Sequence, residues 1–155
     1  MDGPRQILVY GYGNPGRQDD GLGSALINRL ESWAKKEGIG GIDFDSNYQL
    51  NIEDAEVISR YDVVIFVDAS TENIPDFILT PVSGEKDVSF TTHAASPGYI
   101  VKLCGELFDK FPEVHLFHIK GYEWEFKEGL SPDAELNLTK SLEFIKGFLT
   151  KACGR

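Results

Sequence analysis

Near the amino terminus, residues 7–23 of the chain read ILVYGYGNPGRQDDGLG, and this stretch indicates a strand that turns sharply into a helix. Residues 7–10 form a continuous apolar run of the kind that parallel sheets bury on both faces. A glycine-rich turn follows, and the helix is predicted to begin near Gly21. Farther along the chain, apolar strands alternate with amphipathic helical patterns, which is typical of an α/β layered fold.

The remaining elements are predicted from the same two periodicities. Further strands are expected at residues 42–48, 63–67, 77–82 and 114–119, with Pro81 favouring an edge position. Further helices are expected at residues 52–59, at 97–110 and after Ser131, which can cap a helix that begins at Pro132. The faces expected to be buried are, helix by helix, Leu22, Leu26, Leu30 and Trp33; Ile100, Leu103 and Leu107; and Leu138, Leu142, Ile145 and Leu149. About five strands and four helices are therefore expected, in a single domain spanning residues 1–155.

Composition excludes several classes of protein. The chain has 155 residues with 15 basic and 25 acidic side chains, a net charge of −10, which disfavours binding to phosphate backbones. No apolar stretch approaches the roughly 20 residues that a membrane span needs. Two cysteines, Cys104 and Cys153, do not make a disulfide framework, and no signal-peptide layout is visible. We therefore expect a cytoplasmic protein that binds neither nucleic acid nor a membrane.

The glycines of the first turn also match the pattern G-x-G-x-x-G of dinucleotide-binding proteins. That reading needs a helix whose first amides face a pyrophosphate. Here Pro15 lacks an amide hydrogen, and the carboxylates of Asp19 and Asp20 stand where the phosphate would bind. A tight strand-to-helix turn accounts for the glycines equally well, so we expect no nucleotide cofactor.

Three side chains from consecutive strand-end loops are the candidates for chemistry. One of Asp19 and Asp20 is expected to cap the first helix, which leaves the other carboxylate to face the crevice above the sheet. Asp68 follows the most apolar strand, and His93 lies in a loop before a helix, although each could equally serve its own turn. Because open α/β sheets bind ligands at the carboxyl ends of their strands, Asp20, Asp68 and His93 make a plausible divalent-metal site.

The other potential catalytic groups are expected to be background. His115 and His118 lie three residues apart in one predicted strand, so they should point to opposite faces of the sheet. No serine stands in a nucleophile elbow, and no H-E-x-x-H motif is present.

Four segments of the chain, in order, resemble the hydrogenase maturation proteases, which trim the C-terminus of the large subunit of nickel–iron hydrogenases. They are the G-x-G-N turn with D-D-G-L-G at residues 11–23, the apolar strand ending in D-A at 63–69, the histidine loop at 92–97 and G-L-S-P at 129–132. The resemblance implies a three-layer α/β/α sandwich around a mixed, mostly parallel sheet of about five strands.

The resemblance also implies an activity and the residues that carry it. The protein would be a hydrolase, an endopeptidase that removes a C-terminal peptide from the nickel-loaded precursor of the large subunit. The metal-contacting and catalytic positions of the family fall on Asp20, Asp68 and His93, with nickel presented by the substrate. Whether metal or an aspartate activates the water stays open at this point.

Two other functions compete with this one. Residues 13–16, Gly-Asn-Pro-Gly after a first strand, also look like the start of a peptidyl-tRNA hydrolase. Those enzymes continue with a histidine–asparagine pair, where this chain has Asp19 and Asp20, and tRNA fits an acidic protein poorly. A non-catalytic, metal-binding scaffold for hydrogenase assembly is the third reading, which the aspartate–aspartate–histidine set disfavours.

Overall fold

The computed structural model describes residues 5–84 and 95–154. Its strands are β1 (Ile7–Tyr12), β2 (Ile42–Asn47), β3 (Val63–Ser70), β4 (Phe77–Pro81) and β5 (Glu113–Lys120). Its α-helices are α1 (Leu22–Glu37), α2 (Asp54–Ile58), α3 (Pro97–Phe108) and α4 (Pro132–Ala152), and a short 3₁₀ turn (Gln18–Gly21) precedes α1. Every predicted strand and helix is thus present, with shifts of a few residues at the ends.

The strands form one sheet in the order β2-β1-β3-β5-β4. Strands β2, β1, β3 and β5 are parallel, whereas β4 runs antiparallel to β5 at the edge of the sheet. The mixed, mostly parallel five-stranded sheet is therefore confirmed, and so is the edge position expected from Pro81. A proline is tolerated there because its missing amide hydrogen breaks no ladder inside the sheet.

Helices cover both faces of the sheet. Helices α1 and α4 pack on one face through Leu22, Leu26, Leu138 and other buried side chains, and α2 and α3 pack on the other through Ile58 and Ile100. The central strand β3 is fully buried at residues 63–67, because its continuous apolar run meets a helical layer on each side. The result is the three-layer α/β/α sandwich.

Helix α3 departs from its expected packing. Leu107 was expected on the buried face with Ile100, but it is 65% exposed, and the thiol-bearing Cys104 is buried instead. Ile100 and Cys104 are four residues apart and share one line along the helix. Leu107 belongs to the last turn of α3, where its side chain stays largely exposed. Within the described part of the chain, no helix is long and apolar enough to cross a bilayer.

Candidate active site

Asp20 and Asp68 line the same cleft, a cavity of about 530 Å³ at the carboxyl end of the parallel strands. Asp20 comes from the 3₁₀ turn between β1 and α1, and Asp68 comes from β3. Other polar or aromatic side chains on the wall are Arg17, Glu72, His118 and Trp124. The structure thus brings together two of the three residues predicted from the sequence, in the crevice where open α/β sheets bind ligands.

Asp68 faces the cleft because neighbouring strands end at different levels. The pairing of β1 with β3 stops at Gly11 and Val67, whereas the pairing of β3 with β5 continues to Ser70 and Lys120. Asp68 is therefore not the residue after the strand, as expected, but lies within it. It is the first position of β3 after the last register pair with β1, and the hydroxyl of Tyr12, at the end of β1, hydrogen-bonds to it.

The surroundings of Asp68 favour its protonated form. Burial is the main cause, the nearby Asp20 carboxylate adds repulsion, and together they raise the pKa of Asp68 to about 7. Hydrogen bonding from the Tyr12 hydroxyl and the Ala69 amide offsets part of the rise. A carboxyl group that titrates near neutrality can accept or release a proton during a reaction, as general acid–base chemistry requires.

Glycine is needed where the first turn wraps around Asp20. The amide N–H of Asn14 donates a hydrogen bond of 2.8 Å to Oδ2 of Asp20. Gly13 has φ +135°, and a Cβ there would lie 2.1 Å from the carbonyl oxygen of Asp20. A Cβ on Gly11 would lie 2.5 Å from the carbonyl oxygen of Gly23. These contacts support the interpretation of the glycines as a tight strand-to-helix turn. The Asn14 amide, which a phosphate would use, already donates to the Asp20 carboxylate. The lack of a nucleotide cofactor stays a prediction.

Asp19 has a different role from the helix cap that was expected for one of the two aspartates. The residue before α1 is Gly21, and no side chain caps that helix. Asp19 is fully buried and accepts hydrogen bonds from the amides of Tyr122 and Glu123 and from the amide and hydroxyl of Ser131. The capping prediction was wrong because the 3₁₀ turn separates Asp19 from the start of the helix and directs it at a distant loop.

The pKa of Asp19 shows the effect of these donors. Burial alone raises it, but the hydrogen bonds from Ser131, Glu123 and Tyr122 outweigh burial and leave the pKa of Asp19 below its ordinary value. Asp19 is thus held as a carboxylate. We infer that it fixes the loop after β5 to the turn that carries Asp20.

Of the histidines, His93 lies outside the described residues, and His118 lies in the cleft. The two strand histidines point to opposite faces, as predicted: the ring of His115 packs 5.3 Å from that of Phe148 in α4. His118 is the register partner of Asp68 on the neighbouring strand and lines the same cleft. Burial lowers the pKa of His118, and Glu72 partly offsets this. His118 was expected to be background, and its place in the cleft makes it a further candidate residue there. His118 follows the buried Phe117 in β5, so its side chain points to the opposite face of the sheet, the face that α3 covers. The pairing of β5 with β3 then brings His118 beside Asp68.

The described part of the chain does not supply a full set of metal ligands. Residues 5–84 and 95–154 contain no group of three or more His, Cys, Asp or Glu side chains arranged to hold a metal. Asp20 and Asp68 supply carboxylate oxygens, which suit hard and borderline divalent cations. Further ligands would have to come from elsewhere, from the substrate or from His93.

These features define an α/β/α protein with a pair of facing carboxylates in a cleft at the carboxyl end of its sheet. Comparison with known proteins identifies relatives of this kind. A curated protein of Methanocaldococcus jannaschii that is assigned to the hydrogenase maturation proteases is 27% identical over 155 residues, covering 95% of this chain and 98% of the relative. No family model matches the chain.

Solved structures show the same fold. The nickel–iron hydrogenase maturation protease HycI of Thermococcus kodakarensis superimposes with a TM-score of 0.74 at 20% identity, covering 96% of this chain and 95% of that one. The hydrogenase maturating endopeptidase HybD of Escherichia coli gives a TM-score of 0.73 at 19% identity, covering 95% and 93%. The resemblance to the hydrogenase maturation proteases is thereby confirmed, and this chain shares their fold over nearly its whole length.

Proposed function

We propose that this protein is an endopeptidase that removes a C-terminal peptide from the nickel-loaded precursor of the large subunit of a nickel–iron hydrogenase. The observation that carries the proposal is the cleft in which Asp20 and Asp68 face each other, at the positions where the chain resembles the maturation proteases. The relative from Methanocaldococcus jannaschii and the fold shared with HycI and HybD support it.

In this proposal, Asp20, Asp68 and His93 are the catalytic residues and contact the nickel that the substrate presents. A cation between Asp20 and Asp68 would relieve the repulsion that now raises the pKa of Asp68. The reaction adds water across the scissile peptide bond. Nickel can polarise the scissile carbonyl, or Asp68 can accept the proton of the attacking water. The two routes differ in whether peptide cleavage needs metal at all.

The other two functions are less well supported. A peptidyl-tRNA hydrolase would present a cationic surface to its substrate, whereas this chain carries a net charge of −10. The metal-binding scaffold would use the same two carboxylates, but the relatives that the chain resembles are described as proteases or endopeptidases. We also propose that the protein acts in the cytoplasm, in keeping with two cysteines that form no disulfide, Cys104 and Cys153.

The decisive experiment combines the purified protein with nickel-loaded and nickel-free precursor and follows the size of the large subunit. Cleavage of the loaded form alone is expected. Equal cleavage of both forms would contradict the nickel requirement, and no cleavage of either, with a cognate precursor confirmed, would contradict the endopeptidase. Several hydrogenase precursors need to be tried, because the sequence does not identify the cognate one.

A matched pair of variants connects the activity to the site. Asp20→Asn removes a carboxylate from the cleft, whereas Asp133→Asn removes an exposed carboxylate from the first turn of α4. Loss of cleavage in the first and retention in the second would support the proposed roles. Equal activity of both would remove Asp20 from the mechanism.

A further inference from the structure

A loop beside the cleft is held unusually firmly for a segment without regular secondary structure. Residues 122–130, here called the aromatic loop, join β5 to α4. The amide of Gln18 donates to the carbonyl of Lys127 at 2.9 Å, and the amide of Asp19 donates to the carbonyl of Glu123 at 3.0 Å. The amide of Glu125 donates back to the Gln18 side chain at 3.0 Å. Together with the buried Asp19 carboxylate, these bonds fix the loop to the 3₁₀ turn that carries Asp20.

The aromatic loop carries two large aromatic side chains beside the cleft. Trp124 lines the cleft, and Phe126 is 86% exposed. The guanidinium of Arg17, which also lines the cleft, lies 5.8 Å from the centroid of the Phe126 ring. Within the described residues, no carboxylate is paired with Arg17. Exposed aromatic and arginine side chains on a rigid support are the groups that dominate binding energy in protein interfaces.

The charges around this surface indicate the chemistry of the partner. The aromatic loop exposes Glu123, Glu125 and Glu128 against one lysine, Lys127. The adjoining cleft adds Asp20 and Glu72 to the acidic side and Arg17 to the basic side, so acidic groups still outnumber basic ones, and the chain as a whole has a net charge of −10. A partner that covers Phe126 would therefore be stabilised by lysine or arginine side chains around an apolar contact.

We propose that Arg17, Trp124 and Phe126 form the docking surface for the precursor, which contacts it through an apolar side chain flanked by basic residues. The inference rests on the proposed function for the identity of the partner. The surface adjoins the carboxylate cleft, so a chain bound there continues directly towards Asp20 and Asp68. Because the aromatic loop is hydrogen-bonded to the turn that carries Asp20, the docking surface stays at a constant distance from the reaction site. A constant distance helps to orient the scissile bond.

The test is steady-state processing of nickel-loaded precursor by Phe126→Ala, with Phe111→Ala as the matched control. Phe111 is 77% exposed and precedes β5, at the opposite end of the strands from the cleft. We expect Phe126→Ala to raise KM about tenfold with kcat unchanged, the size of effect that a hot-spot side chain produces. Phe111→Ala should leave both constants unchanged. A KM that rises with ionic strength would support the basic partner, and a KM that falls would overturn that part.

The outcomes separate this inference from the proposed function. If the wild-type protein cleaves and Phe126→Ala has an unchanged KM, the docking surface is wrong while the endopeptidase stands. If the wild-type protein does not cleave, its affinity for the same precursor is compared directly with that of Phe126→Ala. Equal affinities, or no binding by either, overturn the docking surface, and weaker binding by the variant supports it. Phe126→Leu keeps an apolar group, so its KM or affinity should lie between those of the wild type and Phe126→Ala. Circular dichroism checks that each variant is folded.

Discussion

Asp19 and Asp68 are two buried aspartates, and their surroundings act on them in opposite directions. Asp19 accepts four hydrogen bonds from one distant loop, and its pKa lies below the ordinary value. Asp68 is desolvated and faces the carboxylate of Asp20, and its pKa is raised to about 7. Burial is common to both residues, so the number of donors and the charge of the neighbour decide whether a carboxylate stabilises the fold or strains it.

The contrast separates a structural region from a reactive one. The region of Asp19 balances its charge with four hydrogen-bond donors. The cleft around Asp68 keeps an unfavourable arrangement of two carboxylates that a bound cation or a transferred proton would relieve. Unsatisfied groups of this kind are concentrated at functional sites. Because Asp19 and Asp20 are adjacent in sequence, the boundary between the two regions passes through a single peptide bond.

The largest expected effect is on stability, from Asp19→Ala. The change removes the acceptor of the part-buried amides of Tyr122 and Glu123 and of the buried amide of Ser131. We expect the free energy of unfolding to fall by about 3–5 kcal/mol, since several charge-assisted hydrogen bonds are lost at once. Chemical denaturation followed by circular dichroism measures it. A loss below about 1 kcal/mol would mean that Asp19 is no better satisfied than a surface carboxylate.

The next effect is on activity, from Asp20→Asn. Processing of the precursor should fall at least about a hundredfold, equivalent to about 2.7 kcal/mol in the barrier. The fold should be retained, because an asparagine oxygen can still accept from the Asn14 amide and the repulsion with Asp68 disappears. His93→Ala should also abolish processing, on the basis of the resemblance alone. If Asp20→Asn unfolds as readily as Asp19→Ala, the distinction between the two neighbours fails.

A further effect is expected in the pH dependence of stability. Because the pKa of Asp68 is raised to about 7 in the folded state, the folded protein holds a proton that the unfolded chain releases. The free energy of unfolding should therefore fall as pH rises from about 4 to 7, by at most about 1.4 kcal/mol per pH unit. Asp19, with its lowered pKa, contributes in the opposite sense: its stabilisation is lost as pH falls through its folded-state pKa.

Comparison of the wild type with Asp68→Asn isolates the contribution of Asp68 to the pH dependence. The difference between the unfolding free energies of the wild type and Asp68→Asn, measured in metal-free buffer from pH 4 to 8, should decrease with pH. A flat or rising difference would show that Asp68 is not strained by burial. Asp68→Asn is used here for stability alone, because the Asp68 carboxylate also accepts hydrogen bonds from the Tyr12 hydroxyl and the Ala69 amide, which the change can disturb.

The smallest effect is expected for Asp133→Asn, which calibrates the comparison. Asp133 is exposed in the first turn of α4, where a carboxylate interacts with the helix dipole. Its loss should cost about 0.3–1 kcal/mol and respond to salt. Thermal unfolding at low and high ionic strength measures this, and a cost as large as that of Asp19→Ala would show that burial is not the deciding variable.

The local patterns of the sequence determined the elements and the architecture. Apolar runs and helical spacing mark β1, β3 and α4, and Ser131 caps α4 as predicted, accepting from the amide of Ala134 at 3.3 Å. These features were predictable because they depend on residues within one turn or one strand. For the same reason the sequence placed Asp20 and Asp68 at one edge of the sheet: carboxyl ends of parallel strands meet there whatever the order of the strands.

Tertiary structure alone decided which polar residues share a site. The partners of Asp19 lie 103 to 112 positions away, so no local pattern could separate its structural role from the role of Asp20. His118 adjoins Asp68 because β5 pairs with β3, a strand order that periodicity does not encode. Leu107 has the spacing of a buried residue, yet its side chain is largely exposed at the end of α3. Hydrogen-bond partners, strand neighbours and covering layers are set by the packing of distant segments, and that packing divides equivalent aspartates into a structural anchor and a reactive group.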